Sequence, residues 1–240
     1  MSIFSNIAKS LLHLLYPATC TACRKPLAED EHFICAQCRN EAPRTYLWLS
    51  DDNPMLHRFW GRLPIEHASA FLWFVDQSYW REIIHRFKYD GEWRVALEFG
   101  RWYGSELQQS GALDDIDLIV PIPLHWRKRL KRGYNQAEQL CKGLSDASGK
   151  PYDFRAVRRI RNNKSQVRSE IRNRWGNVSD IFKVTHAERL RNRHILLVDD
   201  VFTTGATISS CARSIIDACE GEVKISVATI AISQRQFDME

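Results

Sequence analysis

The chain has 240 residues, of which 44% are hydrophobic and 26% are charged, a composition that is typical of a soluble globular protein and excludes a largely disordered chain. Its length allows one sizeable α/β domain and a small additional domain. The formal net charge is only +5, but cations concentrate between Arg127 and Arg132 and between Pro151 and Trp175, and each segment either faces an anionic ligand or is simply exposed to water.

The N-terminal segment, residues 1–17, is apolar, but it contains Lys9 and ends at Pro17. It is too short to span a bilayer, and it lacks the basic start of a secretory signal. We therefore expect a cytoplasmic protein with no membrane span. The apolar residues instead fall on one face of a short amphipathic helix: Ile3, Phe4, Ile7, Leu11, Leu14 and Leu15.

Two CxxC pairs follow this segment, and they contain Cys20, Cys23, Cys35 and Cys38. Together they can place four thiolates about 2.3 Å from one tetrahedral Zn(II) ion. Two disulfides are the alternative, which a reducing cytosol disfavours. Because sulfur would fill every coordination position, the zinc is expected to be structural and to help a small domain fold. We predict a short helix and a zinc ribbon over residues 1–45, which could dock on the main domain, on a partner protein or on nucleic acid.

Residues 46–240 are predicted to form the second domain, in which strand and helix patterns alternate after a weakly periodic connection that ends near Pro64. The predicted strands are 69–75, 116–123, 195–198 and 223–232, and the predicted helices are 79–90, 93–107, 135–148 and 206–219. Asn135 is a candidate N-cap of its helix, and His125 and His194, which have no visible partners in the sequence, are expected to be structural. This order predicts an α/β fold with a mostly parallel sheet and helices on both faces, in which ligands bind at the carboxyl ends of the strands.

The stretch ILLVDDVFTTGAT, residues 195–207, places acidic side chains directly before a predicted anion site. Asp199 and Asp200 could accept hydrogen bonds from the vicinal hydroxyls of a ribose. The following residues lead into a helix whose free N–H groups could bind a phosphate: Thr203, Thr204, Gly205, Ala206 and Thr207. Gly205 also permits a positive φ or a close approach of the ligand. For the pattern DDxxT alone a helix cap is the simpler reading, whereas the whole stretch favours a ribose 5-phosphate site.

Neither GxxxxGK[ST] nor GxGxxG occurs in the chain, which disfavours a P-loop NTPase and a dinucleotide oxidoreductase. Residues 195–207 resemble the signature with which type I phosphoribosyltransferases bind phosphoribosyl pyrophosphate (PRPP). The chain as a whole is similar to the ComF family, competence-related proteins that join a zinc ribbon to a type I phosphoribosyltransferase domain. Besides the cysteine pairs, the similarity covers residues 87–91, 120–140 and 165–182. The resemblance implies a PRPP site with Mg(II) and a role with DNA taken up in natural transformation, but it names no acceptor.

The resemblance also implies roles for the basic segments. The loop at Pro121 corresponds to the pyrophosphate loop, and five cations follow it: Arg127, Lys128, Arg129, Lys131 and Arg132. Positioning and charge stabilisation of the leaving pyrophosphate would supply most of the catalysis. Residues 161–176 are assigned as a flexible loop, with Gln166, Arg174 and Asn177 at family-matching positions. Arg174 either reaches pyrophosphate or holds the loop in place.

Three functions therefore remain open. The first is a phosphoribosyltransferase in which Asp199, Asp200 and Arg174 are catalytic. The second is a protein that senses PRPP without chemistry. The third is a protein that handles single-stranded DNA, with Trp126 and Trp175 as candidates for base stacking. Other DNA-uptake or recombination proteins are candidate partners, and the oligomeric state is left open.

Overall fold

The computed structural model describes residues 18–74, 78–89, 91–161 and 181–233. Several predictions therefore lie outside the described residues: the N-terminal helix, almost all of the flexible loop with Gln166, Arg174 and Asn177, and the stacking candidate Trp175. None of the helices in the described ranges is long and apolar enough to cross a membrane.

The centre of the fold is a four-stranded sheet with the order β1-β6-β5-β2, in which every neighbouring pair is parallel. A separate two-stranded antiparallel sheet pairs β3 with β4. The strands are β1 Ala68–Phe74, β2 Leu118–Pro121, β3 Val157–Arg159, β4 Phe182–Val184, β5 His194–Phe202 and β6 Lys224–Ser233.

Helices cover both faces of the four-stranded sheet, which confirms the predicted fold class. The helices of the described ranges are α1 Ala36–Asn40, α2 Pro54–His57, α3 Tyr79–Tyr89, α4 Trp93–Gln109, α5 Trp126–Arg132, α6 Gln136–Ser148 and α7 Ala206–Ala218. Of these, α1 belongs to the cysteine-containing segment and α5 has no buried residue. Successive residues of β5 point to opposite faces. Leu196 and Val198 belong to the cluster with α3, α4 and α6, whereas Ile195 and Leu197 belong to the cluster with α2 and α7. Burial on both faces explains the continuous apolar run ILLV.

Helices α4 and α6 pack closely because small residues face each other. A Cβ added at Gly143 would lie 2.1 Å from the carbonyl oxygen of Leu97, and one added at Gly100 would lie 2.4 Å from the carbonyl oxygen of Leu140. Both contacts involve backbone atoms, which cannot move as a flexible side chain can. The two glycines therefore set the separation of these helices.

The cysteine-containing segment docks on the main domain, one of the three docking partners left open by the sequence. Its Cys20, Ile34 and Cys38 are buried in the same cluster as residues of β1, α3 and α4. Phe33 meets Phe99 edge to face at a ring separation of 5.2 Å. The chain then continues along β1, since Thr45 N donates to the carbonyl oxygen of Phe71 at 3.0 Å. The domain boundary after residue 45 stays a prediction.

The predicted strand 116–123 is shortened to Leu118–Pro121, and α1 and α2 were not predicted. Three further differences concern the region of the candidate ligand site. Strand β5 continues through the two aspartates to Phe202, because β6 supplies parallel partners as far as Ile232. The basic segment forms the short helix α5, which His125 caps by accepting a hydrogen bond from Arg127 N at 3.3 Å. Strands β3 and β4, on either side of the predicted flexible loop, were not predicted; each has only three residues.

Candidate functional site

The carboxyl ends of β5 and β2 form the candidate ligand site. Asp199 and Asp200 lie near the end of β5 and are partly exposed. The Oδ1 atom of Asp199 accepts a hydrogen bond from Asp200 N at 2.9 Å, which orients its carboxylate. On the neighbouring strand, Pro121 pairs with Val198, and Ile122 N donates to the carbonyl oxygen of Val198 at 2.8 Å. The loop after β2 therefore begins beside Asp199.

The turn between β5 and α7 supplies free backbone donors. Gly205 caps α7 with a φ of 72° and offers no side-chain cap. A Cβ at this position would lie 3.0 Å from the Cε2 and Cζ atoms of Phe202, so both the conformation and the packing require glycine. Among the described residues, the amides of Thr204, Gly205 and Thr207 have no protein acceptor. Amide N–H groups that are not already hydrogen-bonded are available to bind an anion at a helix N-terminus.

These groups surround one small cavity. Its lining combines a carboxylate, two hydroxyls and the start of α7: Asp199, Val201, Phe202, Thr203, Gly205, Ala206, Thr207 and Ile208. The predicted binding residues Asp199, Thr203, Gly205, Ala206 and Thr207 are thus brought together. The hydroxyl of Thr204 accepts a 3.4 Å hydrogen bond from Ala206 N and helps to shape the turn. Whether these residues bind a ligand stays a prediction.

The loop after β2 is held by a buried side chain. Asn135 is 1% exposed, and its Nδ2 donates to the carbonyl oxygen of Ile122 at 3.1 Å. Its Oδ1 accepts from Ala137 N at 3.3 Å and caps α6. The predicted cap is confirmed, and the same side chain fixes the loop that faces Asp199.

The five cations of α5 differ in their surroundings. Arg129 forms a two-pronged pair with Glu138, with N···O distances of 3.1 and 3.3 Å. Arg132 donates to Oε1 of Gln136 at 3.1 Å, and the guanidinium of Arg127 lies 5.2 Å from the ring centre of Trp126. Arg129 and Arg132 therefore bind side chains of α6. Contact of the α5 cations with pyrophosphate stays a prediction.

Arg159 is a charged residue of this region that the sequence analysis did not single out. It lies on β3 with its guanidinium 5.3 Å from the ring centre of Phe182. Burial lowers the pKa of Arg159, and the nearby Asp199 opposes this effect. Burial also lowers the pKa of His125, with further lowering by Arg127 and Arg159. The only sequence signal for Arg159 was its place in the basic segment that begins at Pro151. Its position near Asp199 depends on the pairing of β3 with β4, which the sequence did not predict.

The predicted histidine roles are also resolved. His194 is buried, and its Nε2 lies 2.8 Å from Oγ of Ser226. His125 is buried as well and caps α5. Both are structural, as expected from the sequence.

The four cysteines form the second candidate site. The sulfur atoms of Cys20, Cys23, Cys35 and Cys38 all lie within 4.8 Å of one another. A tetrahedral zinc site with bonds of about 2.3 Å needs sulfurs about 3.8 Å apart, and Sγ of Cys23 lies 3.8 Å from Sγ of Cys35. The residues therefore fit a zinc ion, with no position left for a catalytic water.

Backbone amides favour the thiolate of Cys20, the form that binds zinc, whereas burial raises the pKa of Cys38. Cys35 N donates to Sγ of Cys20 at 3.4 Å, and Cys38 N donates to Sγ of Cys35 at 3.5 Å. Burial alone would raise the pKa of Cys20, but hydrogen bonds from the amides of Cys35, Cys23 and Ala22 lower it to about 7.

Comparisons with known proteins found similarity in the ribbon segment and along most of the chain. Residues 11–46 match a family described as a double zinc ribbon domain. The chain is 28% identical to the DNA utilization protein YhgH of Salmonella typhimurium over 85% of this chain and 92% of that protein. It is 29% identical to YhgH of Escherichia coli K12 over the same shares of the two chains. Its identity to the competence protein ComFC of Bacillus subtilis is 27%, over 86% of this chain and 82% of that one.

Among solved structures, the fold is similar to the glutamine PRPP amidotransferase of Bacillus subtilis in complex with ADP and GMP. The TM-score is 0.40 and the identity 15%, over 61% of this chain and only 30% of that chain. The similarities to competence and DNA utilization proteins extend along most of the chain, and the ribbon match supports them independently. The chain is therefore a homologue of the DNA utilization protein YhgH and the competence protein ComFC, as the resemblance of its motifs predicted.

Proposed function

We propose that this protein binds PRPP with Mg(II) at the carboxyl ends of β5 and β2 and transfers ribose 5-phosphate to an acceptor, releasing pyrophosphate. The observation that carries the proposal is one cavity that is lined both by Asp199 and by the residues that begin α7. Carboxylates suit the ribose hydroxyls, and free amides at a helix start suit the 5-phosphate. The names of the relatives, competence and DNA utilization proteins, support a role with imported DNA in natural transformation.

The roles of the residues follow from their positions. Asp199 and Asp200 would hold the sugar, and Thr203 to Thr207 would hold its phosphate. Carboxylate and phosphate oxygens are the ligands that Mg(II) prefers, and the ion would neutralise charge on the diphosphate. Arg159 would add positive charge beside Asp199. Pro121, the cations of α5, Gln166 and Arg174 remain proposed contacts of the pyrophosphate side.

Ligand binding can be tested by titrating the protein with PRPP and Mg(II) and measuring its thermal unfolding. A ligand that binds only the folded state raises Tm with concentration. We expect this rise in the parent and its loss in Asp199→Asn/Asp200→Asn. The matched control is Asp114→Asn/Asp115→Asn, which removes an exposed aspartate pair just before β2, on the amino-terminal side of that strand. Equal rises in all three proteins would place PRPP elsewhere, and no rise in the parent would refute the proposal.

Chemistry is tested separately from binding. Pyrophosphate release is measured with Mg(II), PRPP and a panel of nitrogen-containing acceptors, including nucleobases and single-stranded DNA. Release that requires both an acceptor and the aspartate pair supports transfer. A PRPP-dependent rise in Tm without release on any acceptor would instead support the sensing function.

A second candidate function is the handling of single-stranded DNA, and helix α5 is the observation that favours it. Trp126 is 57% exposed and Leu130 76% exposed on a helix that carries five cations. Stacked bases contribute about 1–3 kcal/mol each on aromatic side chains, and phosphate contacts make the affinity fall steeply with salt.

This second function is tested with a fluorescent oligonucleotide at several salt concentrations. We expect Trp126→Ala to weaken binding and Lys131→Ala to reduce the salt dependence. Trp60→Ala is the control, because Trp60 is 59% exposed outside α5. Binding that is insensitive to both α5 changes would exclude this surface.

A further inference from the structure

Arg86 of helix α3 is a buried cation whose partners do not balance its charge. It is 7% exposed, and its Nη2 donates to the carbonyl oxygen of Thr21, a neutral acceptor. The Nε and Nη1 atoms are buried, and among the described residues they have no hydrogen-bond acceptor. Buried charges are stable only when they are paired and hydrogen-bonded. Within the described ranges, Glu92 is the one carboxylate recorded near this guanidinium.

The carboxylate of Glu92 is too distant and too exposed to balance the charge of Arg86. Its Oε2 lies 3.9 Å from Nη1 of Arg86, and its side chain is 37% exposed. This separation exceeds the range of an N–H···O hydrogen bond, and solvent screens a partly exposed carboxylate. Arg44 also has a buried Nε without a hydrogen-bond partner, but this atom lies closer to a carboxylate, 3.4 Å from Oε1 of Glu106, and the guanidinium lies over the ring of Trp102.

The bond to Thr21 places Arg86 beside the cysteine cluster. Thr21 lies between Cys20 and Cys23 in the first CxxC turn, so Arg86 binds the backbone of the turn that holds two of the four sulfurs. One Zn(II) ion with four thiolates carries a net charge of about −2. This anionic centre is buried on the side of Cys20 and Cys38, where water screens it weakly.

We propose that Arg86 is the buried counter-charge of the zinc centre and couples metal binding to helix α3. With zinc bound, the guanidinium faces a net negative centre and holds the first CxxC turn in place. Without zinc, this anionic centre is not assembled and the guanidinium loses its partner. Arg86 thus positions the ligand turn without touching the metal, as outer groups do in other metal sites. The proposal rests on the zinc ribbon and is independent of the proposed PRPP chemistry.

The test is competition for zinc between the purified full-length protein and a chromophoric chelator. Loss of an outer-shell partner commonly weakens metal affinity about 10–100-fold, and we expect this loss in Arg86→Gln and Arg86→Met. Arg86→Lys keeps the charge and should retain an affinity within about 3-fold of the parent. Co(II)-loaded protein should keep its sulfur-to-metal charge-transfer bands in every variant, showing that the four ligands are unchanged.

Two controls separate charge from general stability. Arg44→Met removes a ribbon-docking arginine that already has a carboxylate partner, so it should lower Tm but leave zinc affinity unchanged. Glu92→Gln should also leave zinc affinity unchanged. Parent-like affinity in Arg86→Gln, or equal weakening in Arg86→Lys and Arg86→Gln, would overturn the proposal. If Arg86→Met fails to fold, the Gln and Lys variants still decide between these outcomes.

Discussion

The sheet domain and the cysteine ribbon obtain their order in different ways. The sheet is buried on both faces by helices, and its clusters contain side chains from all four strands. The ribbon contributes only a few buried side chains, among them Cys20, Ala22, Ile34 and Cys38, and these belong to a cluster formed mainly by the sheet domain. A large core stabilises itself, whereas a small one needs a metal or a docking surface. The ribbon has both a four-cysteine metal site and a surface that docks on the sheet domain.

The cysteine site and the candidate ligand site are also assembled in different ways. The cysteine sulfurs converge because two short turns bring them together. The carboxylates and amides of the candidate ligand site converge because a parallel sheet aligns its carboxyl ends. Damage to the metal site should therefore spare the sheet, and damage inside the sheet domain should spare the metal unless it reaches the ribbon through Arg86.

The largest effect is expected from serine at all four ribbon positions. This variant should lose its zinc completely and unfold its ribbon at a lower temperature, because the folding free energy supplied by the metal is gone. Zinc content and circular dichroism provide the measurement. Cys219→Ser, a buried cysteine outside the cluster, is the control and should keep its zinc. Retention of one zinc equivalent in the four-serine variant would contradict the ligand assignment.

The converse change is Gly143→Ala in the sheet domain. The added Cβ would meet the carbonyl oxygen of Leu97 at 2.1 Å, and overpacking of this kind costs about 1–3 kcal/mol. Urea unfolding should show the loss while zinc content stays at one equivalent. Lys142→Ala, an exposed neighbour on α6, should change stability little. Equal stability of the two variants would show that the helices can separate.

A smaller effect is expected from Asn135→Ala. It removes a helix cap, worth about 0.5–2 kcal/mol, and leaves the carbonyl oxygen of Ile122 without its donor. Asn135→Ser can restore the cap but cannot reach Ile122, so its unfolding free energy should lie between those of the parent and the alanine variant. A serine variant as unstable as the alanine variant would mean that the bond to Ile122 dominates.

The smallest effect is the pH dependence contributed by His194. Burial lowers its pKa in the folded protein below the ordinary value of 6.5, so the unfolded chain takes up the proton first as pH falls. Stability from this group is complete above pH 6.5 and is lost as pH falls through the folded pKa. Urea unfolding at pH 7.5 and pH 5 should therefore show a smaller difference in His194→Gln than in the parent. An identical difference would assign the pH dependence to other groups.

Sequence patterns predicted the elements whose signals are local. The apolar run before Asp199 gave a buried strand, the spacing after Asn135 gave a helix with its cap, and the paired CxxC turns gave a metal site. Each depends on residues that are close in the chain, so periodicity, capping and ligand spacing are sufficient. The requirement for Gly205 before α7 was visible for the same reason.

The sequence alone therefore determined the alternation of strands and helices, the ribbon, and the acidic and glycine-containing turn. Only the tertiary structure decided how far β5 extends, because β6 supplies its last partners. It also decided that Arg159 lies near Asp199, that Asn135 holds Ile122, and that Arg86 is buried against the ribbon. These contacts join residues that are distant in sequence or on different elements, and their energies depend on burial and distance, which no local pattern encodes.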